Sequence, residues 1–337
     1  MNKLKKDITQ YKEIKKIETY SVTYLFKLND GRICVTTNSK EMHIFTYINE
    51  NFIKQITIPN YSYFIIKIIQ LKNDLIIFPT INKDINLVKV FEESYKIQYS
   101  IKFNEKIFEK FQKYISFIEL ENTNQIAVLV SDFTKDKLLI YNITDSNYNL
   151  TTIIILLDSK FDLSLNIVEI SKINQIAYHF SRGLYFYDLK NFEIKNKMNN
   201  IRGFEWTNTM ILYKEDYLII GSIFLSDNEN EKGLYLVKCS TYEIIDSIFS
   251  NDLDYMYCTA IKILNDDTIL CGFHMYDYYS SYVHIKMEND KIKIINIKRL
   301  GNNSKIEYEG EILGIEQIDN VIIAGNEVNS IYLYKYF

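Results

Sequence analysis

A unit of turns and short strands recurs seven times along this chain, and this periodicity constrains the fold more than any other feature. Each copy has a polar turn running into an apolar strand, beginning at Asn29, Asn73, Asn124, Asn174, Glu215, Asp266 and Asp319. A further strand rich in Tyr, Leu, Val and Ile follows, beginning at Met42, Asn86, Lys137, Gly183, Gly233, Ser281 and Ser330. Seven copies in 337 residues give about 48 residues each, inside the roughly 40–50 residues of a four-stranded propeller blade.

A fourth strand has its own motif, which reads FEIKNKM from Phe192 and recurs from Phe52, Tyr95, Tyr242 and Lys291. The seventh copy reaches Phe337 without this strand, but YKEIKKIE from Tyr11 resembles the motif. We therefore predict that an N-terminal strand completes the last blade and closes the ring, which removes an exposed sheet edge. A helix is the alternative, because Leu4, Ile8, Tyr11 and Ile14 also fit helical spacing.

The prediction is an all-β fold: one domain over residues 1–337, a seven-bladed β-propeller of four-stranded antiparallel blades. The blades cover approximately 20–58, 62–102, 111–156, 164–198, 204–249, 255–299 and 308–337 with 11–18. The 28 Tyr and 20 Phe residues agree with an all-β fold, because aromatic residues favour strands. One other segment has helical spacing, at Phe103, Ile107, Phe108, Phe111 and Ile115.

Small residues recur near the middle of the second strand of most copies. They are Thr36, Ala127, Ala177, Gly221, Gly272 and Ala324. Blades converge on a central axis, so inner positions must be small to fit the taper. Pro79 takes a comparable place in the second copy, and a proline there predicts a bulge or the end of a strand.

The copies resemble the WD-repeat propeller superfamily over the chain from about Tyr11 to Phe337. The family's Gly-His dipeptide is absent from every copy, and its Trp-Asp dipeptide is approximated once, by Tyr187-Asp188. The resemblance implies a divergent relative with the same blade plan. It also implies a rigid, non-catalytic scaffold that holds peptides or protein partners.

Charge and composition exclude several classes of partner. The net charge is −4 and the pI about 5.7, which argues against nucleic-acid binding. The longest apolar run, Ile153–Leu157, is too short to span a membrane. The N-terminus shows no signal peptide, and four scattered cysteines resemble reduced, buried thiols. We expect a cytoplasmic protein that is monomeric by itself.

No motif for catalysis, metal or cofactor binding is present, so we predict no cofactor and no enzyme. The four histidines fall in four different copies and are expected to be packed or hydrogen-bonded. A channel-site hydrolase or lactonase-like enzyme is an alternative, with Glu119, Glu169 and Glu311 as candidate channel carboxylates. Another alternative is a structural subunit that uses its blade rims in a larger assembly.

Aromatic residues recur just before or at the start of the first strand in six of the seven copies. The candidate binding residues are Tyr20, Tyr63, Tyr114, Trp206, Tyr257 and Tyr308, with Glu205 and Asp254 as acidic neighbours. In a propeller these connections surround one mouth of the channel, and aromatic anchors with polar rims are typical of binding hot spots. An acidic, aromatic mouth favours a basic peptide. The alternative is that these aromatic side chains pack between blades.

Overall fold

The computed structural model describes residues 11–18, 21–49, 51–59, 65–80, 84–102, 114–121, 123–131, 135–144, 147–158, 164–180, 183–191, 193–199, 210–221, 232–249, 257–275, 279–299, 312–326 and 330–336. Within these ranges the structure is almost entirely β, as predicted. The segments between blades fall mostly outside them.

Each blade is a sheet with four strand positions, which run from the inner strand beside the channel to the outer strand at the rim. Blade 1 contains β2 (Val22–Lys27), β3 (Ile33–Thr37), β4 (Glu41–Ile48) and β5 (Asn51–Pro59). Blade 2 contains β6 (Ile65–Lys67), β7 (Ile69–Gln70), β8 (Leu75–Pro79), β9 (Asp84–Val90) and β10 (Tyr95–Lys102). Blade 3 contains β11 (Tyr114–Leu120), β12 (Gln125–Ser131), β13 (Lys135–Thr144) and β14 (Asn147–Asp158). Blade 4 contains β15 (Ser164–Ile170), β16 (Gln175–Phe180), β17 (Gly183–Asp188) and β18 (Ile194–Met198).

The remaining blades follow the same order. Blade 5 contains β19 (Met210–Tyr213), β20 (Tyr217–Gly221), β21 (Lys232–Lys238) and β22 (Glu243–Phe249). Blade 6 contains β23 (Tyr257–Ile263), β24 (Ile269–Met275), β25 (Tyr279–Glu288) and β26 (Lys291–Arg299). Blade 7 contains β27 (Ile312–Ile318), β28 (Val321–Asn326), β29 (Ser330–Tyr336) and, at its outer edge, β1 (Tyr11–Glu18).

The N-terminal segment is therefore a strand, and the helical alternative is wrong. β1 pairs antiparallel with β29, from Tyr11 opposite Tyr336 to Glu18 opposite Ser330. The inner strands contact their neighbours all the way round, including β27 against β2. These contacts close the ring of seven blades.

Three local features qualify the sequence predictions. The inner strand of blade 2 is divided at Ile68: β7 pairs with β8, while β6 pairs in parallel with β11 of blade 3. Pro79 is the last residue of β8, which confirms the predicted strand end. The segment with helical spacing lies outside the described residues up to residue 113, and its last member, Ile115, lies in β11 rather than in a helix.

The core of the described residues is divided into seven apolar clusters, one in each seam between neighbouring blades. The cluster between blades 7 and 1, for example, joins Val22, Leu25 and Val35 to Ile323 and Leu333. Each blade buries apolar residues on both faces of its sheet. This explains why the second and third strands read as nearly continuous apolar runs rather than as alternating ones.

The seam that closes the ring is unusually tight. A Cβ atom at Gly314 would lie 2.7 Å from Leu25 Cβ, and one at Gly325 would lie 2.6 Å from Val22 Cγ1. Both separations are shorter than real Cβ atoms allow, so only glycine permits blade 7 to approach blade 1 this closely. The predicted small residues of the second strands are likewise buried, and Gly272 leaves room for Ile312 of the next blade.

Every outer strand carries a β-bulge at the same place in its blade. The extra residues are Ile14, Gln55, Gln98, Thr151, Lys195, Ile245 and Ile295. Bulges bend and twist a strand, and they make an exposed edge a poor template for pairing with other chains. The bulge in β1 matches those of the other six outer strands, so the N-terminal strand is a full structural equivalent of them.

Candidate functional site

The ring has two faces that differ in how they are built. We call the face on which the inner strands begin the upper face, and the opposite one the lower face. Because the strand order repeats from blade to blade, the connections between blades and those between second and third strands belong to the upper face. The turns that join first to second and third to fourth strands form the lower face.

Two of the predicted aromatic residues lie where inner strands begin, on the upper face. Tyr114 and Tyr257 are the first residues of the inner strands β11 and β23. The other predicted binding residues lie outside the described residues, and they are Tyr20, Tyr63, Glu205, Trp206, Asp254 and Tyr308. The predicted binding mouth therefore stays a prediction, with two of its members placed at the start of inner strands.

A central cavity of about 350 Å³ lies among the inner strands of blades 1, 4, 5, 6 and 7. Most of the side chains that line it are apolar, such as those of Leu25, Met210 and Ile261. One ion pair breaks this apolar wall: Lys262 Nζ lies 2.5 Å from Glu316 Oε2. The pair joins blades 6 and 7, because the two residues lie on neighbouring inner strands.

Lys262 and Glu316 are not among the candidate residues predicted from the sequence. The sequence does contain a sign of this ion pair, because each residue is the single charged residue of a mostly apolar first strand. These strands read CTAIKIL from Cys258 and ILGIEQI from Ile312. The Glu316 carboxylate is nine-tenths buried, and the Lys262 side chain is one-third exposed. Burial of an ionised carboxylate costs free energy unless the charge is paired, so this ion pair has a sufficient structural reason.

The carboxylates suggested for a channel site serve another purpose. Glu119 and Glu169 lie near the lower ends of β11 and β15 and accept hydrogen bonds from backbone amides of the preceding blade. The same arrangement occurs at four seams, where the N–H groups of Asn29, Lys72, Glu121 and Asn265 donate to Gln70 Oε1 (2.6 Å), Glu119 Oε2 (2.8 Å), Glu169 Oε2 (2.6 Å) and Gln317 Oε1 (2.8 Å). Glu311 lies outside the described residues.

Other polar contacts join the remaining seams on the lower face. Gln175 Nε2 donates to the Tyr242 hydroxyl between blades 4 and 5 (2.7 Å). The Tyr217 hydroxyl donates to Asp290 Oδ1 between blades 5 and 6 (2.8 Å). Lys27 Nζ donates to the carbonyl of Gln317 between blades 1 and 7 (3.5 Å). Polar groups on this face are thus used to hold blades together.

Burial affects one of these carboxyls. Burial raises the pKa of Glu169, and the hydrogen bond from the Glu121 amide partly offsets the rise. Glu121 in turn accepts a hydrogen bond from Ser171 Oγ at 2.6 Å. The site is therefore a seam between blades 3 and 4, in which a carboxyl is held away from solvent for a structural purpose.

Three histidines have structural partners. His43 Nδ1 lies 3.1 Å from Thr57 Oγ1, His274 Nδ1 lies 3.0 Å from Ser280 Oγ, and His284 Nε2 lies 2.6 Å from Thr268 Oγ1. All three are buried, and burial lowers the pKa of His43 and His284. The expectation of packed, hydrogen-bonded histidines is confirmed for these three, and the side chain of His179 is outside the described set.

The chemistry of the described residues is otherwise plain. All four cysteines are buried free thiols, as expected. No three metal-binding side chains come together within the described ranges. Nor does that part of the chain contain a helix suited to crossing a membrane.

The closed ring, its seven seams and its central cavity define a seven-bladed β-propeller, and known structures share the arrangement. The chain is similar to the WD40 β-propeller domain of Doa1, with 13% identity, a TM-score of 0.64 and coverage of 97% of this chain and 98% of that one. It is also similar to a chain of the mitotic checkpoint complex, with 8% identity, a TM-score of 0.71 and coverage of 100% and 98%. No protein-family model and no curated protein matches the sequence significantly. The fold is therefore that of a WD-repeat-like propeller.

Proposed function

We propose that this propeller is a non-catalytic scaffold that binds a protein or peptide at its upper face. The observation that carries the proposal is the repetition of aromatic residues at the connections into the inner strands in six of seven copies. The topology supports a common location for them, because all these connections belong to the same face. Tyr114 and Tyr257 mark the beginnings of two of the inner strands.

The polar groups of the lower face are used in contacts between blades. On the lower face, many turn residues are engaged in hydrogen bonds between blades, such as those of Gln70, Glu169 and Gln317. Groups that bind a neighbouring blade are less free to bind a partner. The lower face is therefore the less suitable surface for a partner.

The partner's chemistry follows from the acidic residues beside the aromatic ones. Glu205 neighbours Trp206, and Asp254 precedes Tyr257 by three residues. An aromatic ring attracts an Arg or Lys cation, and a nearby carboxylate adds charge complementarity. A basic peptide segment is therefore the proposed ligand, bound by a monomeric propeller in the cytoplasm, where free thiols persist.

The test is Trp206→Ala, with capture of native partners from cell extract followed by mass spectrometry. We expect the variant to keep the thermal midpoint of the parent protein and to lose at least about tenfold in affinity for the captured partner, as removal of a hot-spot aromatic does. Glu205→Gln is expected to weaken the same complex, with a larger effect at low salt.

Phe91→Ala is the matched control, because Phe91 is a 46% exposed aromatic residue in a turn of the lower face. This control is expected to bind normally. A large loss of thermal stability in Trp206→Ala would assign Trp206 to the core. Equal capture by parent and Trp206→Ala would contradict the proposed binding mouth.

A further inference from the structure

The seam between blades 1 and 2 contains a groove of about 310 Å³. Its lining comes from β5 of blade 1 and from β8, β9 and β10 of blade 2, so it lies in the outer part of the seam. Ligand pockets in proteins occupy roughly 300–1,000 Å³. The volume is therefore enough for one or two side chains of a bound peptide.

The groove exists because blade 2 departs from the other blades at one position. The bulge of the outer strand marks equivalent positions in all seven blades. In blade 2, the second residue after the bulge of β10 is Ser100, which pairs with Asn86 of β9. The third-strand residues at the same step in the other blades are His43, Leu139, Tyr185, Tyr235, Val283 and Tyr332. All six have larger or apolar side chains, whereas Asn86 is small and polar and leaves space beside blade 1.

Two polar side chains of the groove have no hydrogen-bond partner among the described residues. In blade 1 the equivalent pair is joined, with His43 Nδ1 3.1 Å from Thr57 Oγ1. The side chains of Asn86 and Ser100, by contrast, form no hydrogen bond with any described residue. Asp84 also lines the groove, and it forms no ion pair with Lys102, its cross-strand neighbour.

An apolar floor lies beside these polar groups. Ile58 and Phe78 are almost fully buried at the base of the groove, while Ile97 at its edge is 50% exposed. A half-exposed isoleucine next to a pocket gives a bound apolar side chain further area to cover. Each square ångström of apolar surface removed from water contributes about 25 cal/mol.

We propose that this groove is a second binding site, for an extended peptide segment of a partner protein. An aliphatic or aromatic side chain of the peptide would pack on Ile58, Phe78 and Ile97. The Asn86 amide, which offers a donor and an acceptor, matches the C=O and N–H of a peptide backbone. A Lys or Arg of the peptide would pair with Asp84.

The experiment uses a library of random linear heptapeptides displayed on phage, selected on the full-length protein and then tested on the variant Asn86→Leu/Ser100→Ile. This variant introduces the pair that blade 3 carries at the same step, Leu139 and Ile153, so it fills the groove with residues that suit such a seam. Synthetic fluorescent versions of the enriched peptides are then titrated by fluorescence polarisation. Ser247→Ile, at the step in blade 5 that corresponds to Ser100, is the control.

The enriched peptides are expected to contain an aliphatic or aromatic residue next to Lys or Arg and to bind with a dissociation constant of about 1–100 μM. The filled variant should bind them at least about tenfold more weakly, and Ser247→Ile should bind them normally. Asp84→Asn should weaken the basic peptides and leave versions with Gln in place of Lys or Arg unchanged. Should the double variant not fold, Ser100→Ile and Asp84→Asn serve in its place.

Failure to enrich any peptide would overturn the proposal, as would equal binding to the parent and the filled variant. The outcome is separable from that of the upper face, because Trp206→Ala is expected to bind the groove peptides with unchanged affinity. A result in which Trp206→Ala abolishes their binding would assign the peptides to the upper face and refute the groove.

Discussion

Single side chains at the ends of inner strands hold neighbouring blades together. At four seams of the described structure, Gln or Glu accepts a hydrogen bond from a backbone N–H of the preceding blade. Blades 2 and 7 use glutamine, at Gln70 and Gln317, while blades 3 and 4 use glutamate. An amide oxygen and a carboxylate oxygen therefore fulfil the same role, but only the carboxylate carries a charge into the seam.

This equivalence predicts the behaviour of Glu169→Gln. Burial raises the folded-state pKa of Glu169 above its ordinary value of 4.5, so the folded protein holds this proton more firmly than the unfolded chain does. The contribution of Glu169 to stability is therefore fullest below pH 4.5 and declines as the pH rises through the folded pKa. Glutamine keeps the acceptor and removes the charge, so we expect a higher thermal midpoint at pH 7 and no gain near pH 4.

Thermal melts of the two proteins between pH 4 and 8 provide the measurement. Glu169→Ala is the control, because it leaves the Glu121 amide without its partner; this should cost about 1–3 kcal/mol of stability. A midpoint of Glu169→Gln below that of the parent at pH 7 would show that the charge itself stabilises the seam.

At the level of elements, β1 is separated from its blade by almost the whole chain. It pairs with β29 along its full length and bears the same bulge as the six other outer strands. An outer strand covers the edge of the third strand, whose backbone groups are otherwise available for pairing with other chains. The stability of blade 7 therefore depends on residues 11–18.

Deletion of residues 1–18 is predicted to expose the edge of β29. We expect a lower thermal midpoint and concentration-dependent association, measured by circular dichroism and by light scattering. Deletion of residues 1–10 retains β1 and is the control, expected to remain a monomer. A monomeric, equally stable protein without residues 1–18 would contradict closure by the N-terminal strand.

The strands could be predicted from the sequence because the same types of turn and strand residues recur in each blade. The register in which the strands pair was less predictable. The motif match aligns the Glu-Ile-Lys of β1 with the Glu-Ile-Lys that begins at Glu193, just before β18. Relative to the bulge, however, the equivalent of Ile194 is Glu13. Cross-strand partners decide such a shift, and these are distant in sequence. The division of blade 2 at Ile68 arises similarly, from pairing of β6 with the next blade.

A candidate site could be predicted from the sequence only where the same type of residue recurs from one copy of the repeat to the next. Aromatic residues at one end of the first strand are visible in six of the seven copies of the repeat. The groove beside Asn86 is not visible in the sequence. Asn86 is the first residue of a predicted strand, and an asparagine is common at such a boundary. Asn86 leaves a groove only because the equivalent position in other blades holds a larger side chain, such as Tyr185 or Leu139.

At the scale of the whole molecule, stability resides in the seams rather than in the blades. Each of the seven apolar clusters contains residues from two neighbouring blades, and the seventh joins the last blade to the first. A blade separated from its neighbours would expose both of its faces. The ring is consequently expected to unfold as a single unit, unlike an open array of repeats.

A circular permutation tests this dependence on closure. Tyr11 lies opposite Tyr336 at one end of the β1–β29 pair, so a short Gly-containing turn can join the two strands as a hairpin. New ends placed within 300–311, between β26 and β27, make every blade continuous in sequence. We expect this permuted protein to fold with one cooperative transition and a thermal midpoint at or above that of the parent.

Circular dichroism melts and denaturant titrations monitored at two probes provide the measurement. Two separate transitions in the permuted protein would contradict a ring that behaves as one unit. A permuted protein that fails to fold, while the parent folds, would show that the separation of β1 from β29 in sequence is itself required.

The pairing of β1 with β29 also has a consequence for the order of events during synthesis. About 300 residues separate the two strands, and at roughly 5–20 residues per second a ribosome takes about 15–60 s to cover that distance. β1 must therefore wait for β29 before it can pair. A nascent chain that ends before β29 is an open arc, and the ring can close only after β29 has emerged.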